Sequence, residues 1–175
     1  TKPVIMVVGG SLGSAAVNQA VRDILPELLK KFQVVHLCGK EKVDNLLLTT
    51  PGYKQFEYIK SEMKDIFAMA DIVISRAGAN AISELLALNK PNILIPLPAT
   101  SSRGDQILNA KSFASQGFSI VIDEDDLTNK LLLEKIHELY QNKDKYIEAM
   151  SKSSQRDAIG TIIGLIEDAA NAKWK

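Results

Sequence analysis

Val-Ile-Met-Val-Val-Gly-Gly-Ser-Leu-Gly, residues 4–13, joins an apolar run typical of a buried β-strand to a turn of small residues. An amphipathic segment follows directly, so the pattern predicts a strand, a tight turn and a helix. Gly9, Gly10 and Gly13 let the backbone approach a ligand closely, and the first amides of the helix are left unpaired. This arrangement predicts an anion site suited to phosphate, with a purely structural strand-to-helix turn as the alternative.

The glycine spacing disfavours two common classes of nucleotide site. Gly9-Gly10-x-x-Gly13 differs from the dinucleotide fingerprint G-x-G-x-x-G, and the turn lacks the lysine of a P-loop. The acidic residue that a dinucleotide site needs about 20 residues further on is also missing, since residues 28–33 read Leu-Leu-Lys-Lys-Phe-Gln. The sequence therefore argues against a Rossmann oxidoreductase.

Composition bounds the class of protein. The 175 residues are expected to form one domain, residues 1–175, around one core. The 21 basic and 21 acidic residues cancel, so no charge pattern points to nucleic acid as a partner. No apolar stretch reaches the about 20 residues that cross a membrane, and the first residues lack the features of a signal peptide. A cytoplasmic chain is expected, with Cys38 buried and inert and His36 in the core or at its edge.

Strand-like and helix-like segments alternate, which is the pattern of a parallel sheet covered on both faces. Strands are predicted at 4–8, 33–37, 55–59, 71–75, 92–96 and 119–122. The first helix is expected to be interrupted at Pro26, and further helices are predicted at 41–48, 62–70, 79–89, 105–116, 127–140, 143–151 and 156–171. The fold class is therefore α/β, a Rossmann-like parallel sheet of about six strands with helices on both faces and a helical C-terminal third.

A second turn of small residues, Ser75-Arg76-Ala77-Gly78-Ala79-Asn80-Ala81, follows the fourth predicted strand and opens another helix. In a parallel sheet such loops meet at the carboxyl ends of the strands, where ligands bind. Glu84 lies in an early turn of that helix, and its side chain leans back toward the helix N-terminus. A carboxylate there accepts two hydrogen bonds, which suits a vicinal diol such as ribose. The alternative is that Glu84 only interacts favourably with the positive helix end.

Two other loops at the same edge carry candidate binding residues. The loop after the fifth predicted strand leads to Asp105, a candidate helix cap, and to Gln106, a side chain suited to sugar hydroxyls. Tyr58 and Ile59 end the third predicted strand and offer an aromatic face and a backbone amide to a base, with a core position for the aromatic as the alternative. No cluster of His, Asp and Glu has the spacing of metal ligands, so no metal or cofactor is expected.

Four ordered motifs closely resemble those of the MurG family: GGSLGS at 9–14, SRAGANAISE at 75–84, KPNILIPLP at 90–98 and GDQILNA at 104–110. Members of that family are two-domain GT-B glycosyltransferases that transfer N-acetylglucosamine to lipid I and form lipid II in peptidoglycan synthesis. The resemblance implies that residues 1–175 are the C-terminal, donor-binding half of such an enzyme. It also implies that the catalytic base, the site for lipid I and a membrane-facing patch lie in an N-terminal domain absent from this chain.

The resemblance implies a role for each loop in binding UDP-N-acetylglucosamine. The first turn and the second helix N-terminus are expected at the diphosphate, the loop after the third strand at the uracil, Glu84 at the ribose, and the start of the 105–116 helix at the N-acetylglucosamine. The residues implied to contact the donor are Gly10, Ser11, Gly13, Tyr58, Ile59, Gly78, Ala79, Asn80, Ala81, Glu84, Asp105 and Gln106.

The reaction implied by the resemblance is a direct displacement, in which an acceptor hydroxyl attacks the anomeric carbon, UDP leaves and the configuration inverts. Helix-end amides and Ser11 are expected to stabilise the charge on the leaving phosphate without a metal or cofactor. The full-length enzyme is expected at the cytoplasmic membrane surface, peripheral on its inner face. Two alternatives stay open: half of a sugar-nucleotide epimerase, and a nucleotide-binding module without chemistry.

Overall fold

The computed structural model describes residues 1–10 and 12–154, in which a layer of strands lies between two layers of helices. The strands are β1 (Val4–Val8), β2 (Gln33–Leu37), β3 (Tyr53–Phe56), β4 (Ile72–Ser75), β5 (Asn92–Leu94) and β6 (Ser119–Val121). The helices are α1 (Ala15–Asp23), α2 (Leu25–Leu28), α3 (Met63–Met69), α4 (Ala79–Ala87), α5 (Asp105–Ser115), α6 (Asn129–Gln141) and α7 (Lys143–Ser151). Short 3-10 turns lie at Asn45–Leu47 and Glu124–Asp126.

The strands pair in parallel in the order β3-β2-β1-β4-β5-β6. The chain moves outward from β1 to β3 and then returns to the other side of β1 with β4. The register pairs Val8 with Ser75, the last residues of β1 and β4. The loops after these two strands therefore leave the sheet side by side, at the topological switch point where open α/β sheets bind ligands.

Side chains of the central strand alternate between two apolar layers, as the pleat of a strand requires. Ile5 and Val7 pack on one face with residues of α1, α2 and α6. Met6 packs on the other face with residues of α3, α4, α5 and α7. All three side chains are fully buried. Burial on both faces explains why β1 is an uninterrupted apolar run rather than an alternating one.

The α/β class, the parallel sheet and the helices on both faces are confirmed. The first predicted helix is interrupted as expected, because α1 ends at Asp23 and Pro26 lies in the first turn of α2. A proline is tolerated there, since its missing N–H has no intrahelical partner to lose. Helices α6 and α7 confirm the helical character of the C-terminal third as far as Ser151. The helix predicted at 156–171 lies outside the described residues.

The helix predicted at 41–48 is wrong, because only Asn45–Leu47 forms a short 3-10 turn. Glu41 has a left-handed φ of 59°, which a right-handed helix does not allow. The Asp44 carboxylate accepts a hydrogen bond from the Leu46 N–H at 2.9 Å and caps the short turn instead. Leu46 is 91% exposed and Leu48 53%, whereas Leu47 packs against the core, so the run lacks the continuous apolar face that a helix buries.

The third strand is shifted from its predicted range of 55–59 to Tyr53–Phe56, which leaves residues 57–59 in a loop. Its neighbour β2 ends at a turn in which Gly39 has a φ of 92°. The Gly39 N–H still donates to the Glu57 carbonyl oxygen at 2.9 Å. Beyond this bond the chain of β2 turns away, so a longer ladder cannot form.

The turn after β1 contacts the turn after β2 at two glycines. Gly13 has a φ of 72°, and a Cβ placed on it would lie 2.0 Å from the carbonyl oxygen of Cys38. A Cβ placed on Gly39 would lie 2.6 Å from the Cα of Gly13. The side-chain amide of Asn18 supports the contact by donating to the Cys38 carbonyl oxygen at 2.9 Å. Glycine is therefore required at both positions.

Gly13→Ala is expected to destabilise the chain much more than Gly10→Ala. Both glycines have positive φ, 72° and 87°, but no atom of the described residues lies within 4 Å of a Cβ placed on Gly10. Gly10→Ala should therefore cost about 1–2 kcal/mol, the backbone strain alone. Gly13→Ala adds a clash with backbone atoms and should cost at least about 3 kcal/mol. Equilibrium unfolding in urea measures both, and equal losses would contradict the close approach of the two turns.

Candidate functional site

The turn between β1 and α1 places backbone amides at the switch point. Gly10 is exposed, and its carbonyl oxygen accepts a hydrogen bond from the Gly13 N–H at 3.1 Å. Ser14 is the N-cap residue of α1, and its Oγ accepts from the Val17 N–H at 3.2 Å. Ser11, the other predicted site residue of this turn, lies outside the described residues. The positive end of the α1 dipole thus meets the Gly-rich turn.

The N-terminus of α4 opens beside this turn, and no side chain caps it. Gly78 is the N-cap residue, followed by Ala79, Asn80 and Ala81. Their N–H groups have no intrahelical acceptor, because every helix leaves its first donors unpaired. The exposed side chain of Asn80 makes no hydrogen bond to any other described residue. This helix end is therefore open to an anion.

Glu84, one turn further along α4, carries an unpartnered carboxylate. Burial of this group raises the pKa of Glu84 above its ordinary value. Among the residues that the structure describes, none donates a hydrogen bond to the carboxylate or forms an ion pair with it. The residue as a whole is exposed, so solvent hydrates the carboxylate and the hydroxyls of a ligand would take the place of that water. Two oxygens at this place suit the two hydroxyls of a ribose.

Two amide side chains of α5 hold the loop after β4. The Oε1 of Gln106 accepts from the Ala77 N–H at 3.2 Å and from the Leu97 N–H at 2.9 Å. Asn109 donates from Nδ2 to the Ala77 carbonyl oxygen at 3.0 Å. Gln106 thus connects two loops through its oxygen, and its Nε2 makes no hydrogen bond within the described part of the chain. Nε2 is therefore the atom of this side chain that can donate to a ligand.

The expected helix cap at Asp105 is wrong. Gly104 is the N-cap residue of α5, with a φ of 83°, and Asp105 is the first helical residue. The carboxylate of Asp105 is exposed and has no hydrogen-bond or ion-pair partner in residues 1–10 and 12–154. It is therefore available to a ligand hydroxyl, and it also complements the positive end of α5.

Arg76 joins loops that follow four different strands. Its Nη1 donates to the carbonyl oxygens of Ile95 at 3.2 Å and Pro96 at 3.3 Å, after β5. Its Nη2 donates to Ser14 Oγ and to Glu124 Oε1, each at 2.7 Å, in the segments after β1 and β6. The side chain is 10% exposed. The sequence signal of this role is a charged residue that directly follows a buried strand.

A buried polar cluster holds the ends of β2 and β3 beside α1. His36 Nδ1 lies 2.7 Å from Tyr53 Oη, and His36 Nε2 lies 2.8 Å from Asn18 Oδ1. Burial, and then the positive charge of Arg22, lowers the pKa of His36 to about 3. Arg22 also donates to the Sγ of Cys38 at 3.3 Å. His36 and Cys38 are buried as predicted, and the neutral imidazole serves structure rather than chemistry.

Tyr58 and Ile59 lie in the loop after β3, at the outer end of the same edge. Tyr58 is 60% exposed, so the core position considered for it is excluded. Lys60 Nζ lies 5.7 Å from the centroid of the Tyr58 ring. The Ile59 side chain packs on the core, whereas its N–H and C=O bind no other residue in the described ranges. The backbone of Ile59 is therefore available to the edge of a base.

The parallel sheet brings all the described candidates to one edge. The first turn and residues 78–81 flank the switch point, and the hydrogen bonds to Ala77 attach the start of α5 to the same place. Tyr58 and Ile59 stand apart, because β3 is three strands from β4, about 14 Å at the usual strand spacing. The edge thus brings two uncapped or Gly-rich helix N-termini together with unpartnered polar groups of α4 and α5 on one side and an exposed loop at Tyr58 on the other.

Comparison with protein families decides the classification. The model of the glycosyltransferase family 28 C-terminal domain matches residues 4–162. The chain belongs to this family. The matched range includes all four motifs quoted above, from the first Gly-rich turn to the start of α5.

Curated relatives of the family are highly similar to this chain. A protein from Lachnospira eligens is 61% identical over 167 residues, which are 95% of this chain and 47% of that protein. A protein from Geobacillus thermodenitrificans is 53% identical over 169 residues, which are 97% of this chain and 48% of that protein. Both are named UDP-N-acetylglucosamine--N-acetylmuramyl-(pentapeptide) pyrophosphoryl-undecaprenol N-acetylglucosamine transferase. The chain spans about half the length of the curated relatives it matches.

Solved structures agree on the fold. MurG from Acinetobacter baumannii is similar with a TM-score of 0.74 at 24% identity, over 96% of this chain and 52% of that one. A calicheamicin glycosyltransferase gives a TM-score of 0.72 at 17% identity, over 98% of this chain and 41% of that one. The expected Rossmann-like half of a GT-B glycosyltransferase is thus confirmed, as is the resemblance to the MurG family.

Within residues 1–10 and 12–154, no group of three or more His, Cys, Asp or Glu side chains is placed to hold a metal ion. No helix in these ranges has the length and apolar character to cross a membrane.

His36 is expected to make the stability of this family member fall with pH below about 6.5. The ordinary pKa of histidine is 6.5, and that of His36 is lowered to about 3 in the folded chain. Between these values the unfolded chain binds a proton that the folded chain does not, so stability is lost as pH falls, by up to about 1.4 kcal/mol per pH unit.

Urea unfolding between pH 7 and pH 4.5 measures this effect against other titrating groups. His36→Gln should reduce the dependence of the unfolding free energy on pH, whereas His137→Gln, which alters the only other histidine, should retain it. The same dependence in His36→Gln and the unchanged chain would contradict the buried, neutral imidazole.

Proposed function

We propose that this chain is the donor-binding domain of an N-acetylglucosaminyltransferase of the MurG type and binds UDP-N-acetylglucosamine. In the full-length enzyme, the bound sugar is transferred with inversion to lipid I, which is the N-acetylmuramyl-(pentapeptide) pyrophosphoryl-undecaprenol in the names of the relatives, and lipid II is formed. The names of relatives 53–61% identical to the chain support the substrate class.

One observation carries the proposal: an open helix N-terminus at the switch point with an unpartnered carboxylate one turn behind it. The free amides of Ala79, Asn80 and Ala81 complement a diphosphate. The carboxylate of Glu84 complements the ribose hydroxyls of the same nucleotide. A nucleoside diphosphate presents these two groups next to each other, which neither an isolated phosphate nor a free sugar does.

The remaining contacts follow from the same placement of the nucleotide. The amide of Gly10, with Ser11, holds the diphosphate from the β1 side, and Gly13, whose N–H donates to the Gly10 carbonyl oxygen, shapes the turn around it. The base extends toward β3, where the Ile59 backbone meets the uracil and Tyr58 lies beside the ring. The sugar lies toward α5, where Asp105 and the Nε2 of Gln106 bind its hydroxyls.

The task of this domain in the reaction is to stabilise the leaving group. As the acceptor hydroxyl attacks the anomeric carbon, the bond to the β-phosphate breaks and negative charge grows on UDP. The ends of α1 and α4 present fixed dipoles to that charge, and their orientation needs no change during the reaction. The base that removes the proton from the acceptor belongs to the N-terminal domain.

That N-terminal domain is part of the proposal. The curated relatives are about twice as long as the chain, which leaves room for a second domain of similar size. We assign to it the lipid I site and the patch that attaches the enzyme to the inner face of the cytoplasmic membrane. A substrate anchored in that membrane requires an enzyme at its surface.

Two rival functions, half of an epimerase and a non-catalytic binding module, predict different results when the N-terminal domain is added. A putative UDP-N-acetylglucosamine 2-epimerase from Listeria monocytogenes has a TM-score of 0.65 at 13% identity, over 98% of this chain and 46% of that one, which is a likeness of fold. Adding the N-terminal domain should produce transfer to a lipid-linked acceptor. Epimerisation of the free nucleotide sugar, or no reaction, would favour the epimerase half or the non-catalytic binding module.

Glu84→Gln is expected to weaken UDP binding by about ten-fold or more, because a neutral amide replaces a charged acceptor of ribose hydroxyls. The free energy of unfolding should stay the same or rise slightly, since burial disfavours the ionised carboxylate. Titration calorimetry with UDP-N-acetylglucosamine, UDP and ADP measures the affinities.

Glu134→Gln is the matched control, because Glu134 is exposed on α6 and forms only a 4.0 Å ion pair with Lys130. It should leave the affinity for UDP unchanged. A preference for ADP over UDP would contradict the proposal. Equal affinities for UDP of the Glu84→Gln variant and of the chain without substitutions would contradict it as well.

A further inference from the structure

The hydroxyl of Ser14 is surrounded by hydrogen-bond donors. Its Oγ accepts from the Val17 N–H at 3.2 Å and from Arg76 Nη2 at 2.7 Å. A serine hydroxyl accepts two hydrogen bonds and donates one, so both of its lone pairs are occupied. In the described part of the chain, no acceptor meets its proton. Ser14 therefore has one donor left over.

This unpaired donor is buried beside the Gly-rich turn. Ser14 is 7% exposed, and a Cβ placed on Gly9 would lie 3.2 Å from Ser14 Cβ. The Ser14 oxygen is satisfied by its two donors, and its proton is the one hydrogen-bonding position of this side chain that the described residues leave open. As the N-cap of α1, a helix of nine residues, the hydroxyl lies where the helix dipole attracts an anion.

Arg76 fixes the direction of the Ser14 proton. Its guanidinium is planar and is also held by the Ile95 and Pro96 carbonyls and by the Glu124 carboxylate, so it cannot turn away from Oγ. With Cβ and two donors around the oxygen, only one tetrahedral direction remains for the proton. The nearby positive charge also polarises the hydroxyl and makes it a stronger donor.

We propose that Ser14 is a phosphate-binding residue, whose hydroxyl donates to a non-bridging oxygen of the nucleotide diphosphate, and that Arg76 is the positioning residue that aims it. This inference rests on the proposed function, which brings a diphosphate to the first turn. Phosphate oxygens only accept hydrogen bonds, so they match a proton whose own oxygen is saturated by donors. The contact adds to the one predicted at Ser11.

The test compares ligands with and without phosphate. Calorimetry measures binding of UDP, uridine and inorganic pyrophosphate to the chain and to its Ser14→Ala and Ser14→Thr variants. Ser14→Ala should weaken UDP and pyrophosphate about ten-fold or more and leave uridine within about two-fold. Ser14→Thr keeps the hydroxyl and should stay within about three-fold of the unchanged chain for all three ligands.

Two further variants separate aiming from folding. Arg76→Lys keeps a positive charge but loses the planar fork, so it should reduce the affinity for UDP and pyrophosphate and spare uridine. Ser14→Gly replaces Ser14→Ala if the alanine variant does not fold, because glycine is itself an acceptable N-cap residue. Circular dichroism shows whether each variant retains its helices.

The outcomes distinguish this inference from the proposed function. Equal losses for UDP and uridine in Ser14→Ala would mean that Ser14 only caps α1, and would overturn the inference. UDP binding that depends on Glu84 but not on Ser14 would also overturn it, while the proposed function would stand. If the chain without substitutions binds neither UDP nor pyrophosphate, the inference on Ser14 and the proposed function are both overturned.

Discussion

The guanidinium of Arg76 is the contact on which the ligand-binding edge of the sheet depends. Loops after parallel strands are irregular, so their polar groups need partners that the ladder does not supply. One planar cation with several donors meets acceptors from the segments after β1, β5 and β6, and its own backbone follows β4. Glu124 balances the charge, since a buried cation without a partner is strongly destabilising.

Fixing these loops places two helix N-termini side by side. Each helix end carries about half a positive charge, and α1 and α4 begin directly after the paired ends of β1 and β4. The 21 basic and 21 acidic residues cancel, so any attraction of the proposed anionic ligand has to come from these helix ends and not from net charge. The preorganised dipoles are the feature that a departing nucleotide diphosphate requires.

Much of the fold could be predicted because strand and helix patterns are local. The apolar run at 4–8 is typical of a strand buried on both faces, and the observed β1 has the same bounds. The helix predicted at 41–48 failed because apolar spacing cannot show that the backbone is left-handed at Glu41 or that Leu46 and Leu48 face away from the core. The position of β3 failed for a related reason, since its end is set by the turn at Gly39 in another strand.

Part of the candidate site could be predicted from the sequence. Glycines and small residues at helix starts are local signals, so the turns near Gly10 and Gly78 could be located from sequence. The roles of Arg76, Ser14 and Gln106 in joining the loops could not, because the partners they join lie 9 to 62 residues away in the chain, and the contact of Ser14 with Val17, three residues on, indicates only a helix cap. The central claim is that a nucleotide diphosphate binds at the switch point between β1 and β4. Amide NMR spectra of the 15N-labelled chain titrated with UDP test this most directly. The largest, saturable shift changes are expected at Gly10, Gly13 and residues 79–81; shift changes confined to α6 and α7, with these amides unmoved, would contradict the claim.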